Sequence, residues 1–120
     1  MCTLLTTGPE ILIIILFRGR GIQFDVKINF YLELNLSMYI ELKHTGSIYE
    51  LFGVITHITH IGSTDKSGHF IAYCKSYFQN DYNRWYRFDD SLVTPVNDFT
   101  KEVIQPAMPF VLFYKKNLLN

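Results

Sequence analysis

Only two of the 120 residues are cysteine, Cys2 and Cys74. They share no CxxC spacing, so neither a disulfide framework nor a zinc-ribbon signature is open to them. Charge of one sign is not in excess either. Eleven cationic and eleven anionic side chains give a formal net charge of zero, which offers no basic field to nucleic acid or to an anionic membrane. Long hydrophobic runs are also missing. The longest, residues 11–17, is seven residues, against the roughly 20 that a helix needs to cross a bilayer. No basic region precedes that run, so it does not read as a signal peptide. These absences point to a reducing, intracellular setting with no nucleic-acid or membrane partner.

What the chain has in quantity is aromatic and β-branched side chains. The apolar fraction is 48% and the aromatic fraction 16%, with ten Phe and eight Tyr, a globular and strand-leaning composition. Residues 1–8 have no period and read as a frayed lead-in. Residues 10–17 form a continuous Ile-rich run, expected to be a strand buried on both faces. The Arg18-Gly19-Arg20-Gly21 turn follows; it lacks the spacing and the following helix of a phosphate cradle. Residues 22–31 alternate and are expected to pair back on the first strand. Residues 32–47 are less regular and end in a polar loop. In the β-rich stretch 48–61, Thr56-His57-Ile58 is repeated at once as Thr59-His60-Ile61. An odd insertion would turn every later side chain to the other face, so the repeat is expected to be absorbed outside the regular ladder, before Gly62. Residues 92–96 read as extended, 98–104 as one or two helical turns capped by Asp98, and 110–115 as a last strand. The expected fold is α+β, dominated by an antiparallel sheet, with residues 1–120 as one unit and no linker.

Chemistry concentrates in residues 68–90, which read as a β-hairpin. One arm is Gly68-His69-Phe70-Ile71-Ala72-Tyr73-Cys74-Lys75, the other Arg84-Trp85-Tyr86-Arg87-Phe88-Asp89-Asp90, and Gln79-Asn80-Asp81 between them is turn-like. With Lys75 opposite Arg84, His69 falls opposite Asp90 and one residue from Asp89. Opposed Cβ atoms are about 4.5–5.5 Å apart, so register alone brings an imidazole to a carboxylate. That pair is the orienting half of a nucleophile–base–acid triad. Asp90 has an equally good structural reading, as a cap of the turn before Ser91. Two adjacent residues of a strand point to opposite sides, so both carboxylates cannot face His69 in one regular arm. Trp85 and Tyr86 are most simply packing residues. A zinc site from His57, His60 and His69 is disfavoured, because strand residues three apart lie on opposite faces and no fourth ligand accompanies them. No metal and no cofactor is expected.

Five blocks of this sequence resemble the histidine-box half of the ubiquitin-specific proteases, a family of papain-like cysteine deubiquitinases. They are residues 9–16 with 24–28, then Tyr49-Glu50-Leu51-Phe52-Gly53-Val54-Ile55-Thr56-His57, then Gly68-His69-Phe70-Ile71-Ala72-Tyr73, then Trp85-Tyr86-Arg87-Phe88-Asp89-Asp90-Ser91, then Pro109-Phe110-Val111-Leu112-Phe113-Tyr114. The resemblance implies the C-terminal, sheet-dominated part of a papain-like catalytic domain. It implies His69 as general base, Asp89 as the residue that orients it and Asp90 as a supporting group. It also implies a channel for the substrate's Gly-Gly tail, beside a loop at 62–68, with Gly68 and Phe70 next to it. For Phe70, ordinary core packing is an equally good reading. The implied partners are ubiquitin and ubiquitinated proteins.

The family's thiol has no match here. Cys74 lies five residues beyond His69 on the same strand, on the opposite face and roughly 16 Å away. Cys2 has no helix behind it to lower its pKa. The chain is therefore expected to hold base and acid without the attacker, and to be inactive alone. The competing expectations are a catalytically dead module that binds ubiquitin or another protein, and a structural β-domain with no site.

Overall fold

Strand-forming residues dominate the chain, and in the computed structural model they build one seven-stranded sheet. The structure describes Leu5 and residues 7–16, 27–41, 47–58 and 69–117. The strands are β1 (Ile11–Ile15), β2 (Glu33–Asn35), β3 (Ile48–Ile58), β4 (His69–Lys75), β5 (Trp85–Asp89), β6 (Leu92–Pro95) and β7 (Pro109–Lys116). Their order is β1-β7-β3-β4-β5-β6, with β2 on the N-terminal part of β3. Among the described residues every pairing between these strands is antiparallel. The expected sheet-dominated fold is what forms.

One face of this sheet carries the core. Tyr49, Leu51, Val54, Ile71, Tyr73, Trp85, Leu112 and Tyr114 are buried there and are joined by Phe30, Val96 and Val103. Each large apolar side chain so buried contributes about 1.5–3 kcal/mol. The buried residues of β3 change parity, from Tyr49 and Leu51 to Val54 and Thr56. The ladder explains how. Leu51 pairs with Tyr114 and Gly53 with Phe113, so Phe52 is an extra residue, a bulge that steps the strand by one. A second irregularity, between Ile55 and Thr56, puts the extra residue, Phe110, on β7 and restores the phase. Gly53 sits close beside the first bulge: a Cβ there would lie 3.3 Å from two Phe113 side-chain atoms, which would have to give way slightly.

Several expectations need correction. Among the described residues the Ile-rich run is an edge strand, and it is covered on one face only. Leu12 and Ile14 pack on the core, while Ile11, Ile13 and Ile15 are 46, 53 and 55% exposed. A short apolar run does not reveal whether both faces are covered. Among the described residues the partner of β1 is β7, where the expected partner is residues 22–31. Of those, 22–26 lie outside the described residues, and 27–31 are not a strand: Ile28 N donates to Ala107 O at 2.8 Å and Tyr114 Oη to Tyr31 O at 2.7 Å. The lead-in is tied down where it is described. Leu5 bridges Ile40, Gly8 O accepts Lys116 Nζ at 2.7 Å, and Pro9 O accepts the buried Tyr49 hydroxyl at 2.6 Å.

Thr56-His57-Ile58 continues the regular ladder to β4, and its repeat, residues 59–61, lies outside the described residues. The 18–21 turn and most of the polar loop, 42–46, fall outside them as well. The helical segment is the short Thr100–Ile104. Asp98 caps it, accepting Lys101 N at 3.2 Å on Oδ1 and Glu102 N at 2.9 Å on its carbonyl. Phe99 just before it stacks on Trp85, centroids 4.0 Å apart.

Candidate active site

The hairpin exists, with its register one residue from expectation. Lys75 lies opposite Trp85, not Arg84, and the ladder runs through Cys74–Tyr86 and Tyr73–Arg87 to Ala72–Phe88. Arg84 belongs to the connection, where Ser76 N donates to its carbonyl at 2.7 Å and Asn83 has a positive φ of 69°. The shift decides between the two carboxylates. In the observed register Asp89 shares a face with Ile71 and His69, whereas Asp90 would point away.

His69 opens β4 at the edge of the core face, two residues before the buried Ile71. Its Nε2 lies 2.5 Å from Asp89 Oδ1. With Nε2–H donating to this carboxylate, Nδ1 keeps its lone pair and is the ring nitrogen left to take a proton. The other oxygen, Oδ2, is 3.4 Å from Arg87 Nη2. Arg87 is two residues before Asp89 on the same face; sequence reading missed it, although the spacing of two in a strand is the signal for such a contact. The hydrogen bond to Asp89, reinforced by the charges of Asp89 and Asp90, raises the His69 pKa above its usual 6.5. The same bond, with Arg87 beside it, holds Asp89 below the usual carboxylate range.

Asp90 has left the strand. It and Ser91 form the two-residue turn between the paired Asp89 and Leu92, and Asp90 adopts a positive φ of 51°, which Asp tolerates better than most residues. The turn swings its carboxylate to 4.0 Å from His69 Nε2, with 84% of the side chain exposed. Both carboxylates therefore stand near the imidazole, one by hydrogen bond and one at the limit of an ion pair.

The remaining candidate residues are placed as follows. Gly68 lies outside the described residues. Phe70 follows His69 and leaves the strand on the opposite face, 51% exposed, with its ring edge-on to Phe110 and His57 at 5.3 and 4.8 Å. It is neither core nor on the face of His69. Cys74 is exposed and on that opposite face too; Cys2 is outside the described residues. His57 faces away from His69, since it pairs with Phe70 while Ile58 pairs with His69, and His60 is not among the described residues. Ligand atoms of His69, Asp89 and Asp90 lie within 4.8 Å of one another. The Nε2 that would meet an ion is occupied by Asp89, and Arg87 lies against the other Asp89 oxygen, so the cluster reads as a hydrogen-bonded pair and not as a metal centre.

An imidazole hydrogen-bonded to a carboxylate at the mouth of a hairpin is the arrangement that a base and its orienting acid would take. Residues 3–114 match the family model described as ubiquitin carboxyl-terminal hydrolase. The chain belongs to the ubiquitin carboxyl-terminal hydrolase family. Among curated members it is 38% identical over 96 residues to ubiquitin carboxyl-terminal hydrolase 10 and to ubiquitin carboxyl-terminal hydrolase 9, both of Arabidopsis thaliana. Those matches cover 78% of this chain and only 9 and 10% of the two hydrolases, so the chain spans about a tenth of their length. Among solved structures it resembles a chain of the Ubp8-Sgf11-Sgf73-Sus1 SAGA DUB module, with a TM-score of 0.68 and 28% identity over 91% of this chain and 24% of the other. The module bound to ubiquitin aldehyde gives a TM-score of 0.67 at the same identity, covering 93% of this chain and 25% of that one. The papain-like, ubiquitin-specific protease fold of this part of the family is therefore the fold of this chain.

Proposed function

We propose that this chain supplies the base and the orienting acid of a cysteine deubiquitinase that cleaves peptide and isopeptide bonds after the Gly-Gly tail of ubiquitin. His69 takes the proton of a thiol at Nδ1 and later returns it to the leaving amine, while Asp89 fixes the ring through Nε2 and stabilises the imidazolium. The 2.5 Å contact between His69 and Asp89 carries this reading, in a chain of a family whose members hydrolyse ubiquitin C-termini. Ubiquitin as partner is supported by two related structures, one bound to monoubiquitin and one to ubiquitin aldehyde. The thiol comes from a segment other than residues 69–117, because Cys74 is on the face opposite His69. A reducing compartment suits such a nucleophile.

The placement of Cys74 also favours a second reading, a ubiquitin-binding module without turnover of its own. A chimaera separates the two. This chain replaces its 96-residue counterpart in the Arabidopsis hydrolase 10, and release of a fluorophore from the ubiquitin C-terminus is followed. Turnover that His69→Ala abolishes supports the catalytic reading. A folded chimaera that binds ubiquitin and never turns over supports the module. The isolated chain should match its own His69→Ala variant, since a base contributes about 10²–10⁴-fold only to a nucleophile within reach. Activity of the isolated chain that disappears on Cys2→Ser would overturn the division of labour.

A further inference from the structure

Arg87 stands in the core-face row of β5, between the buried Trp85 and Asp89. Its backbone is paired on both sides, with Tyr73 of β4 and Thr94 of β6, so the root of the side chain is fixed. A cation on that face is costly without a partner. Among the described residues the acid within 4.0 Å of it is Asp89. Arg87 Nη2 lies 3.4 Å from Asp89 Oδ2, and 33 and 28% of the two side chains are exposed.

Asp89 needs such a hold. It is the last residue of β5, and the chain turns away at Asp90, where φ is 51°. The terminal torsion of an aspartate is soft and roughly twofold. A single hydrogen bond from His69 Nε2 to Oδ1 therefore leaves the carboxylate free to pivot, and the side chain free to change rotamer toward water. An arginine against Oδ2 removes that freedom, because its planar fork presents donors in a fixed arrangement. In the reaction proposed above the His69 ring gains and loses a proton, and the acid has to keep its place in both states. The direct effect of the Arg87 charge on His69 runs the other way. It lowers the His69 pKa, and it is the smallest contribution there, behind those of Asp89 and Asp90. We propose that Arg87 is a positioning residue, which clamps Asp89 Oδ2 so that Oδ1 stays on His69, and which acts on the base through Asp89. Its role in turnover rests on the deubiquitinase reading; the clamp itself does not.

The test has one arm without turnover and one with it. Arg87→Met keeps the apolar stem and removes the guanidinium, and Arg87→Lys keeps the charge without the fork. In the isotope-labelled full chain, three-bond couplings of the Asp89 side chain report its rotamer, and the ring Nε2 shift of His69 reports the bond to Oδ1. Arg87→Met should average the couplings and move the Nε2 shift toward that of Asp89→Asn. Arg87→Lys should lie between Arg87→Met and the wild type, and it carries the same readouts if Arg87→Met unfolds. In the chimaeric hydrolase Arg87→Met should lower kcat/KM about fivefold. The same change in an Asp89→Asn background should cost less than about twofold, because a residue that acts through another is not additive with it. Equal losses in the two backgrounds would make Arg87 an independent charge and overturn the proposal. Unaltered Asp89 couplings and His69 Nε2 shift in a folded Arg87→Met chain would overturn it as well. A chimaera that never turns over counts against the deubiquitinase reading, and the NMR arm then still decides the clamp.

Discussion

Replacing Asp89 by Asn in the chimaeric hydrolase keeps the shape of the side chain and removes the charge that faces His69. The structure sets how much more this should matter than the same change at Asp90. Asp89 Oδ1 is 2.5 Å from Nε2 and Asp90 Oδ2 is 4.0 Å. In a common dielectric the Coulomb attraction at the longer distance is about six-tenths of that at the shorter, and beyond about 3.2 Å no direct hydrogen bond remains. Asp90 is also 84% exposed against 28% for Asp89, so water and salt screen it further. Asp89→Asn should therefore lower kcat/KM by about 10²–10⁴, and Asp90→Asn by less than about tenfold. The assay is fluorophore release, paired with an NMR titration of the His69 ring. In the titration Asp89→Asn should bring the raised pKa of His69 back toward 6.5, and Asp90→Asn should move it less. Equal losses from the two variants, or a His69 pKa that Asp89→Asn leaves in place, would refute the assignment of Asp89 as the orienting acid.

Further outcomes follow from the same geometry. The pKa of His69 is raised on folding and that of Asp89 lowered. Their mutual stabilisation is thus full only below the unfolded His value of about 6.5 and above the unfolded Asp value of about 3.9, and it fades as pH rises through the folded His69 value or falls through that of Asp89. The melting temperature of the wild type relative to Asp89→Asn should be highest inside that window and should converge with it at higher pH, and more so at low salt. Tyr49→Phe strands the Pro9 carbonyl and should cost about 1–2 kcal/mol, a melting shift on the order of 4–8 °C. Gly8→Ala drives a Cβ into the Tyr49 hydroxyl and should be worse. A double-mutant cycle should show Tyr49→Phe relieving part of that penalty; strict additivity would mean that the two groups do not touch.

The hairpin, the histidine at its mouth and the acid beside it were legible because alternation and residue type fix which strands pair. The register was not. Whether Arg84 joins the ladder depends on how the connection closes, through Asn83 at a positive φ and the 3₁₀ turn Gln79–Asp81; their residue types mark a turn but not the residue at which the ladder begins. The one-residue error is what made Asp90 look opposed to His69. Nor could adjacency in sequence show that Asp90, thrown into a turn, would come back toward the same imidazole. The bulge at Phe52 did leave a trace, in the change of apolar parity from Tyr49 and Leu51 to Val54. The Thr-His-Ile repeat drew attention downstream of it. The exposed side of β1 depends on what covers a face, which a run of isoleucines does not state.

The two faces of the sheet explain why an exposed pair can still be held to one geometry. His69 and Asp89 are 39 and 28% exposed, yet each ends a row of anchored residues on the core face: Tyr73 and Ile71 before His69, Trp85 and Arg87 before Asp89. Val54 and Thr56 reach the same rows only because the Phe52 bulge shifts β3 by one residue. The core thus fixes the backbone of both arms, and solvent is left to screen the charges. A raised pKa moves His69 toward its imidazolium form, which is no base for an alcohol. For a thiol the same shift is an advantage. An imidazolium beside a cysteine favours the thiolate and lowers its pKa. The direction of the His69 shift is the one that a cysteine nucleophile would use, and Asp89 and Asp90 of this chain produce it.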